Sequence, residues 1–181
     1  MSLGFYVDLA SCIGCKTCQV ACKDRRDIQV AGPRLRRVDT FECGTYPEVG
    51  MFHLTVSCNH CDDPACVANC PTGAMQKDPE TGIVNNDKEK CIGCKYCMAA
   101  CPYNVRSFNW DEPVHVPDFA YGDANVEGRV RGVAEKCTLC KERTDRGDEP
   151  MCVVCCPTKA RIYGDLDDPD SDISKEIVAT N

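Results

Sequence analysis

Sixteen of the 18 cysteines in this chain of 181 residues fall into four groups. The first is Cys12, Cys15, Cys18 and Cys22, and the second is Cys58, Cys61, Cys66 and Cys70. The third is Cys91, Cys94, Cys97 and Cys101, and the fourth is Cys137, Cys140, Cys152 and Cys156. Each group opens with two cysteines two residues apart, so one loop can bring both sulfurs to one centre. Thiolates are soft ligands that bind metal only when deprotonated, and they favour iron–sulfur clusters, zinc and monovalent copper. The chemistry to expect is therefore that of sulfur-bound metal, four times over.

Spacing narrows the metal. The third group reads C-x2-C-x2-C-x3-C followed by Pro102, the run that holds a [4Fe–4S] cluster in bacterial ferredoxins. The first group has the same spacing, with Lys23 in the proline's place. The second widens one gap to four residues and the fourth widens one to eleven, and each ends in Cys-Pro. Cys137-x2-Cys140-x11-Cys152-x2-Cys155 would also pass as a four-cysteine zinc site. An internal repeat decides between these readings. CIGCKTCQVAC (12–22) matches CIGCKYCMAAC (91–101) at 8 of 11 positions, and CPTGA (70–74) matches CPTKA (156–160) at 4 of 5. Cys156 thus aligns with Cys70 as the ligand, and Cys155 is spare. Disulfides are disfavoured, because groups spaced by two residues read as ligand loops.

The elements that must position these thiols follow from the same repeat. In two-cluster ferredoxins the fourth cysteine of each run binds the other cluster. Groups two and three are joined by PTGAMQKDPETGIVNNDKEK, in which AMQK and GIVN flank a turn rich in Asp, Pro, Thr and Gly, the pattern of a β-hairpin. They make one ferredoxin-like module, residues 58–101. Groups four and one make the second, residues 1–22 with 137–165, its strands supplied by GFYVD (4–8) and ARIYGD (160–165). The expected ligand sets are Cys12, Cys15, Cys18 and Cys156 for cluster one, and Cys58, Cys61, Cys66 and Cys101 for cluster two. Cluster three takes Cys91, Cys94, Cys97 and Cys70, and cluster four takes Cys137, Cys140, Cys152 and Cys22. The fold class is α+β, with two ferredoxin-like modules of short strands and short helices, rich in loops. Two inserts, 23–57 and 102–136, lie outside the runs; the second reads as an ordered surface loop. An acidic tail, 166–181, carries a short helix capped by Ser171 or Asp172.

Composition excludes other classes. The 43% hydrophobic share includes the cysteines; without them it falls to about a third, below the usual apolar content. An apolar core alone does not specify such a fold. A net charge of -7 and a pI near 5.0 argue against general nucleic-acid binding. No run is long enough for a membrane span, and MSLGFYVDLASC does not read as a secretory signal. Phosphate-loop, dinucleotide-fold, serine-hydrolase and zinc-protease motifs are missing, so no catalytic residue is expected. Lys16, Lys23, Arg25, Arg26, Lys95 and Lys141 are placed to offset cluster charge. Cys43 and Cys155 read as small buried residues. His60, in Cys58-Asn-His-Cys61, reads as packing beside a cluster, while His53 and His115 carry no signal. Trp110 anchors a partner or covers its own module.

CIGCKTCQVACK, CNHCDDPACVANCPTGAM, CIGCKYCMAACPY and KCTLCKER with PMCVVCCPTKARIYGDLDDP cover most of the chain. Together they resemble the iron–sulfur subunit of the dimethyl sulfoxide reductase family of molybdenum enzymes. The resemblance implies a large catalytic partner carrying a molybdenum or tungsten bis-pterin cofactor, and often a membrane anchor subunit that exchanges electrons with quinone. It implies four [4Fe–4S] clusters, with cluster one nearest the pterin. Some relatives replace a cysteine of the third run; here Cys91, Cys94, Cys97 and Cys101 are all present. The location expected is the cytoplasm, or export of the folded complex on a partner's twin-arginine signal. A free polyferredoxin carrier and a zinc-stapled interaction module are the alternatives.

Overall fold

The computed structural model describes residues 1–115, 119 and 121–180. Residues 116–118 and 120 of the second insert and Asn181 of the tail lie outside that set. Secondary structure is short, and loops hold most of the chain. The chain opens with strand β1 (Leu3–Val7) and helix α1 (Thr17–Arg25), then a long hairpin of β2 (Arg36–Thr45) and β3 (Glu48–Ser57). Helix α2 (Ala65–Ala68), strands β4 (Met75–Lys77) and β5 (Val84–Asn86) and helix α3 (Tyr96–Ala99) follow. Strands β6 (Ser107–Phe108) and β7 (Ala134–Glu135) come next, then helices α4 (Lys141–Thr144) and α5 (Met151–Val154), strand β8 (Arg161–Asp165) and helix α6 (Asp172–Thr180).

The described strands pair as four antiparallel two-stranded sheets. β4 and β5 form the hairpin inside the second-to-third-group segment, with Met75 opposite Asn86. The Asp78 carboxylate shapes its turn by accepting the N–H groups of Glu80 at 2.9 Å and Thr81 at 3.2 Å. β1 and β8 pair the two ends of the chain, Leu3 opposite Asp165 and Val7 opposite Arg161. Helix α6 docks on this sheet. The Ser171 hydroxyl accepts the Ser174 N–H at 3.3 Å, capping the helix, and Ile173 is fully buried.

The inserts hold more order than their composition suggests. The first contains the β2–β3 hairpin, with Arg36 opposite Ser57 and Thr45 opposite Glu48. Only its base is packed. Arg36 and Val38 are buried, whereas the outer half exposes Phe41, Phe52, Val49, Met51 and Tyr46, and Phe41 stacks on Phe52 at 5.1 Å. The second insert is not merely a surface loop. Its ends pair as β6 and β7 and bury Val105, Arg106, Phe108, Asn109, Val133, Ala134 and Lys136. Short strands separated by a long excursion have no local period to betray them. Trp110 is exposed, but its ring meets Phe108 edge-on at 4.7 Å, and Lys95 Nζ lies 4.4 Å from its centroid.

Three small cores take the place of one large one, and cysteines belong to all of them. Cys18, Val38 and Cys152 pack with Phe5, Val153 and Cys155. Cys58, Val105 and Cys137 pack with Val56 and Cys101. Met75, Val84, Cys97, Phe108 and Ala134 pack with Cys66, Val67, Cys70 and Met98.

Candidate iron–sulfur sites

The two halves of the repeat are built alike along the backbone. In the first group Gly14 and Lys16 take φ of 65° and 62°, and in the third Gly93 and Lys95 take 68° and 64°. These left-handed residues curl the loop so that its cysteines face inward before the helix starts. The helix then opens on the lysine carbonyl, which accepts the N–H of Gln19 in one case and of Met98 in the other, both at 2.9 Å. The third cysteine, Cys18 or Cys97, sits in that first turn and is buried.

Groups two and four share a second device. Pro64 and Pro150 precede α2 and α5, and their carbonyls accept the N–H groups of Val67 at 2.8 Å and Val153 at 2.9 Å. Thr72 Oγ1 lies 3.8 Å from Cys70 Sγ, and Thr158 Oγ1 lies 3.8 Å from Cys156 Sγ.

These loops meet around cavities. One is lined by Cys12, Cys15, Cys18 and Cys156 together with Val38, Thr55 and Arg161. A second is lined by Cys58, Cys61, Cys66 and Cys101 with Val84 and Arg106. A third is lined by Cys70, Cys91, Cys94 and Cys97 with Met75 and Ala134. The remaining four thiols feel one another's charge. Burial first, then the Cys137 and Cys140 thiolates, push the Cys22 thiol up. Burial first, then Cys137, do the same for Cys140, which also feels Cys152. Among the described residues no three of His, Cys, Asp and Glu converge on a point as they would on a single bound ion.

The donor set suits a cluster of iron and sulfur. Hydrogen bonds to sulfur stabilise thiolate and tune such sites. The N–H of Met75 donates to Cys70 Sγ and that of Leu139 to Cys137 Sγ, each at 3.4 Å. Burial works against the Cys70 thiolate, but the Met75 and Thr72 hydrogen bonds bring its pKa below the ordinary value. The Thr17 hydroxyl does the same for Cys15.

Other expected residues separate. His60 is buried with Nδ1 accepting the Val84 N–H at 2.9 Å, and burial with Lys136 and Arg106 nearby drives its pKa down to about 2. His53 bonds Thr40 at 3.0 Å and covers Gly14. His115 pairs with Asp27 at 2.9 Å. Cys155 is half-buried beside Cys18 and Cys152, and burial followed by those thiolates raises it to about 11. Cys43 is exposed, against expectation, because β2 has left the body of the protein by that point. Of the six cations expected to offset cluster charge, the buried Arg25 turns instead to Asp123 and Glu142, Lys23 to the Val30 carbonyl and Lys141 to Asp145. Four buried cations were not expected among the cores: Arg36, Arg106, Lys136 and Arg161. Nothing local in the sequence marks any of them for burial.

Comparison with known proteins agrees with this geometry. The model of the 4Fe–4S dicluster domain family matches residues 49–116 and 123–166, and that of a 4Fe–4S binding domain matches residues 9–25. A Halobacterium salinarum protein named as an iron–sulfur subunit of dimethyl sulfoxide reductase is 46% identical over 96% of this chain and 70% of its own length. The iron–sulfur subunit of arsenate respiratory reductase from a Shewanella species is 38% identical over 98% of this chain and 87% of its own. A sulfite dehydrogenase subunit of Allochromatium vinosum is 38% identical over 95% of this chain and 72% of its own. The loop-rich α+β structure, the thiol-lined cavities and these relatives agree: the chain belongs to the 4Fe–4S family of iron–sulfur subunits typified by that of dimethyl sulfoxide reductase.

Proposed function

We propose that this chain is the electron-relay subunit of a molybdenum or tungsten pterin oxidoreductase and holds four [4Fe–4S] clusters. Cluster one is held by Cys12, Cys15, Cys18 and Cys156, and cluster two by Cys58, Cys61, Cys66 and Cys101. Cluster three is held by Cys70, Cys91, Cys94 and Cys97, and cluster four by Cys22, Cys137, Cys140 and Cys152. Clusters one and four belong to an outer module, residues 1–22 with 137–165, and clusters two and three to an inner one, residues 58–101. Catalysis belongs to the partner, and this chain links it to a quinone-linked membrane subunit or to a soluble donor. Among the described residues no helix is long and apolar enough to cross a membrane.

The observation that carries this reading is the make-up of the three cores. One joins Cys18 of set one to Cys152 of set four. The next joins Cys137 of set four to Cys58 and Cys101 of set two. The last joins Cys66 of set two to Cys70 and Cys97 of set three. These shared cores support a single-file order of the proposed sets, one–four–two–three. Bound clusters supply one-electron storage at each station. The chain's own residues fix the spacing and exclude water between stations. An exposed apolar hairpin beside the Gly14 loop supports a subunit over a free carrier.

The test is elemental analysis of the native complex, purified without oxygen. About sixteen irons per chain, with about one molybdenum or tungsten, are expected. Iron without either metal would favour the free carrier, and zinc in place of iron would overturn the reading. Cys18→Ser is expected to abolish turnover with the natural donor while the partner stays active with artificial dyes. Unchanged turnover would remove cluster one from the path.

A further inference from the structure

Two of the buried guanidinium groups line cavities rich in cysteine sulfur. Arg106 is 7% exposed and lines the cavity of Cys58, Cys61, Cys66 and Cys101. Its Nη1 lies 3.3 Å from Met75 Sδ, and Met75 in turn lines the cavity of Cys70, Cys91, Cys94 and Cys97. Its Nε has no hydrogen-bond partner. Arg161 is 4% exposed and lines the cavity of Cys12, Cys15, Cys18 and Cys156. Its Nη1 donates to Thr55 Oγ1 at 2.5 Å, and its carbon centre lies 4.9 Å from the Phe5 ring centroid. Its Nε and Nη2 have no partner of good hydrogen-bond geometry, and the anion that acts on it most is the Cys152 sulfur, ahead of that of Cys18.

Burying an unpaired guanidinium donor is costly, and such groups persist where something anionic meets them. Among the described residues neither arginine has a carboxylate in an ion pair. The anions at hand are sulfurs. Arginine suits the task because it stays charged in a dry site and fans several N–H groups in one plane.

We propose that Arg106 and Arg161 are positioning residues for electron transfer: each directs its unpartnered N–H groups at the sulfurs of the cluster in the cavity it lines, and its fixed charge raises that cluster's reduction potential. Reduction adds one electron and no proton, so the reduced form is the more negative one and gains most from a buried cation. A surface lysine, screened by water and salt, does this far less well. Arg161 thus acts on clusters one and four, whose Cys18 and Cys152 it faces, and Arg106 on clusters two and three, so that each module has a cation shared between its two clusters. This inference rests on the cluster reading above.

The test is a redox titration of the intact complex with dithionite as the electron source, followed by electron paramagnetic resonance, with iron counted in every sample. Arg106→Met is expected to lower the reduced-to-oxidised ratio of the cluster-two signal about tenfold at a fixed potential, equivalent to about 59 mV for one electron. The cluster-one signal should stay in place. Arg161→Met should do the converse. Arg106→Lys and Arg161→Lys, which keep the charge, should recover most of each shift. Full iron content with unmoved potentials in the Met variants would overturn the proposal, and so would equal shifts in the Lys and Met variants. Should a Met variant lose iron, wild-type protein labelled with 15N-arginine decides. Guanidinium nitrogen coupling to the reduced cluster, lost in Arg106→Lys, supports the proposal, and no coupling overturns it. Wild-type protein without iron would instead sink the cluster reading itself.

Discussion

A methyl group added at Gly93 would stand 2.5 Å from the backbone carbonyl oxygen of Gly132, and one added at Gly14 would stand 2.4 Å from the His53 ring. Both positions have positive φ, which costs a residue with a Cβ about 1–2 kcal/mol. The difference lies in what must move. His53 can swing away by giving up its Thr40 bond, but the Gly132 carbonyl belongs to the turn that leads into β7. We expect Gly93→Ala to lower both the melting temperature and the iron content clearly more than Gly14→Ala does, by thermal unfolding and metal analysis of anaerobic samples. Equal losses would refute the distinction. His60 offers a second test. Its neutral imidazole accepts the Val84 N–H inside the protein, so His60→Ala should cost about 1–3 kcal/mol by leaving that donor unpaired, measured by denaturant unfolding. At this scale the cysteine spacing and the repeat were plain in the sequence, while the matching left-handed conformations of Lys16 and Lys95 were seen only in the structure. The buried cations were not, since Arg36, Arg106, Lys136 and Arg161 owe their burial to segments distant in the chain.

Elements built by local chemistry were legible, and those built by tertiary pairing were not. The β4–β5 hairpin announces itself through its turn, and the β1–β8 pair through the repeat. The β2–β3 hairpin was missed although RRVDTFECGT and EVGMFHLTVS alternate in part around a short turn; its outer half faces solvent on both sides, so no consistent apolar face marks it. Strands β6 and β7, two residues each, lie below what a periodic pattern can reveal. Helix α6 is tied to β8 through the Ser171 hydroxyl, which donates to the Asp165 carbonyl at 2.7 Å, and through one buried side chain. Ile173 is fully buried, and a Cβ at Gly164 would come within 2.8 Å of its Cγ2. We expect Ile173→Ala to cost about 2–5 kcal/mol of local stability. The helix should become open to proteolysis beyond Asp165 while iron content holds. Loss of iron in step with the cleavage would mean that α6 supports the sites directly.

On the scale of the whole molecule, cysteines belong to every core, so stability and metal content are linked. Removing iron with a chelator and reductant should abolish the cooperative unfolding transition and most near-ultraviolet dichroism, because metal binding and folding are then one equilibrium. A metal-free chain that melts like the loaded one would contradict this. The pairing of β1 with β8 has a further consequence, for biogenesis. The Ser2 N–H bonds the Asp165 carboxylate across 163 residues, and the cavity of Cys12, Cys15 and Cys18 closes only with Cys156. The cavity of Cys58, Cys61, Cys66 and Cys101 is lined entirely by residues from Cys58 to Arg106. At translation rates of about 5–20 residues per second, it can close several seconds earlier. Cys12, Cys15 and Cys18 thus leave the ribosome before Cys58 but are enclosed after it. Through that interval Cys12, Cys15 and Cys18 stay open to oxygen and to stray metal, which makes this loop the part of assembly most exposed to oxidation.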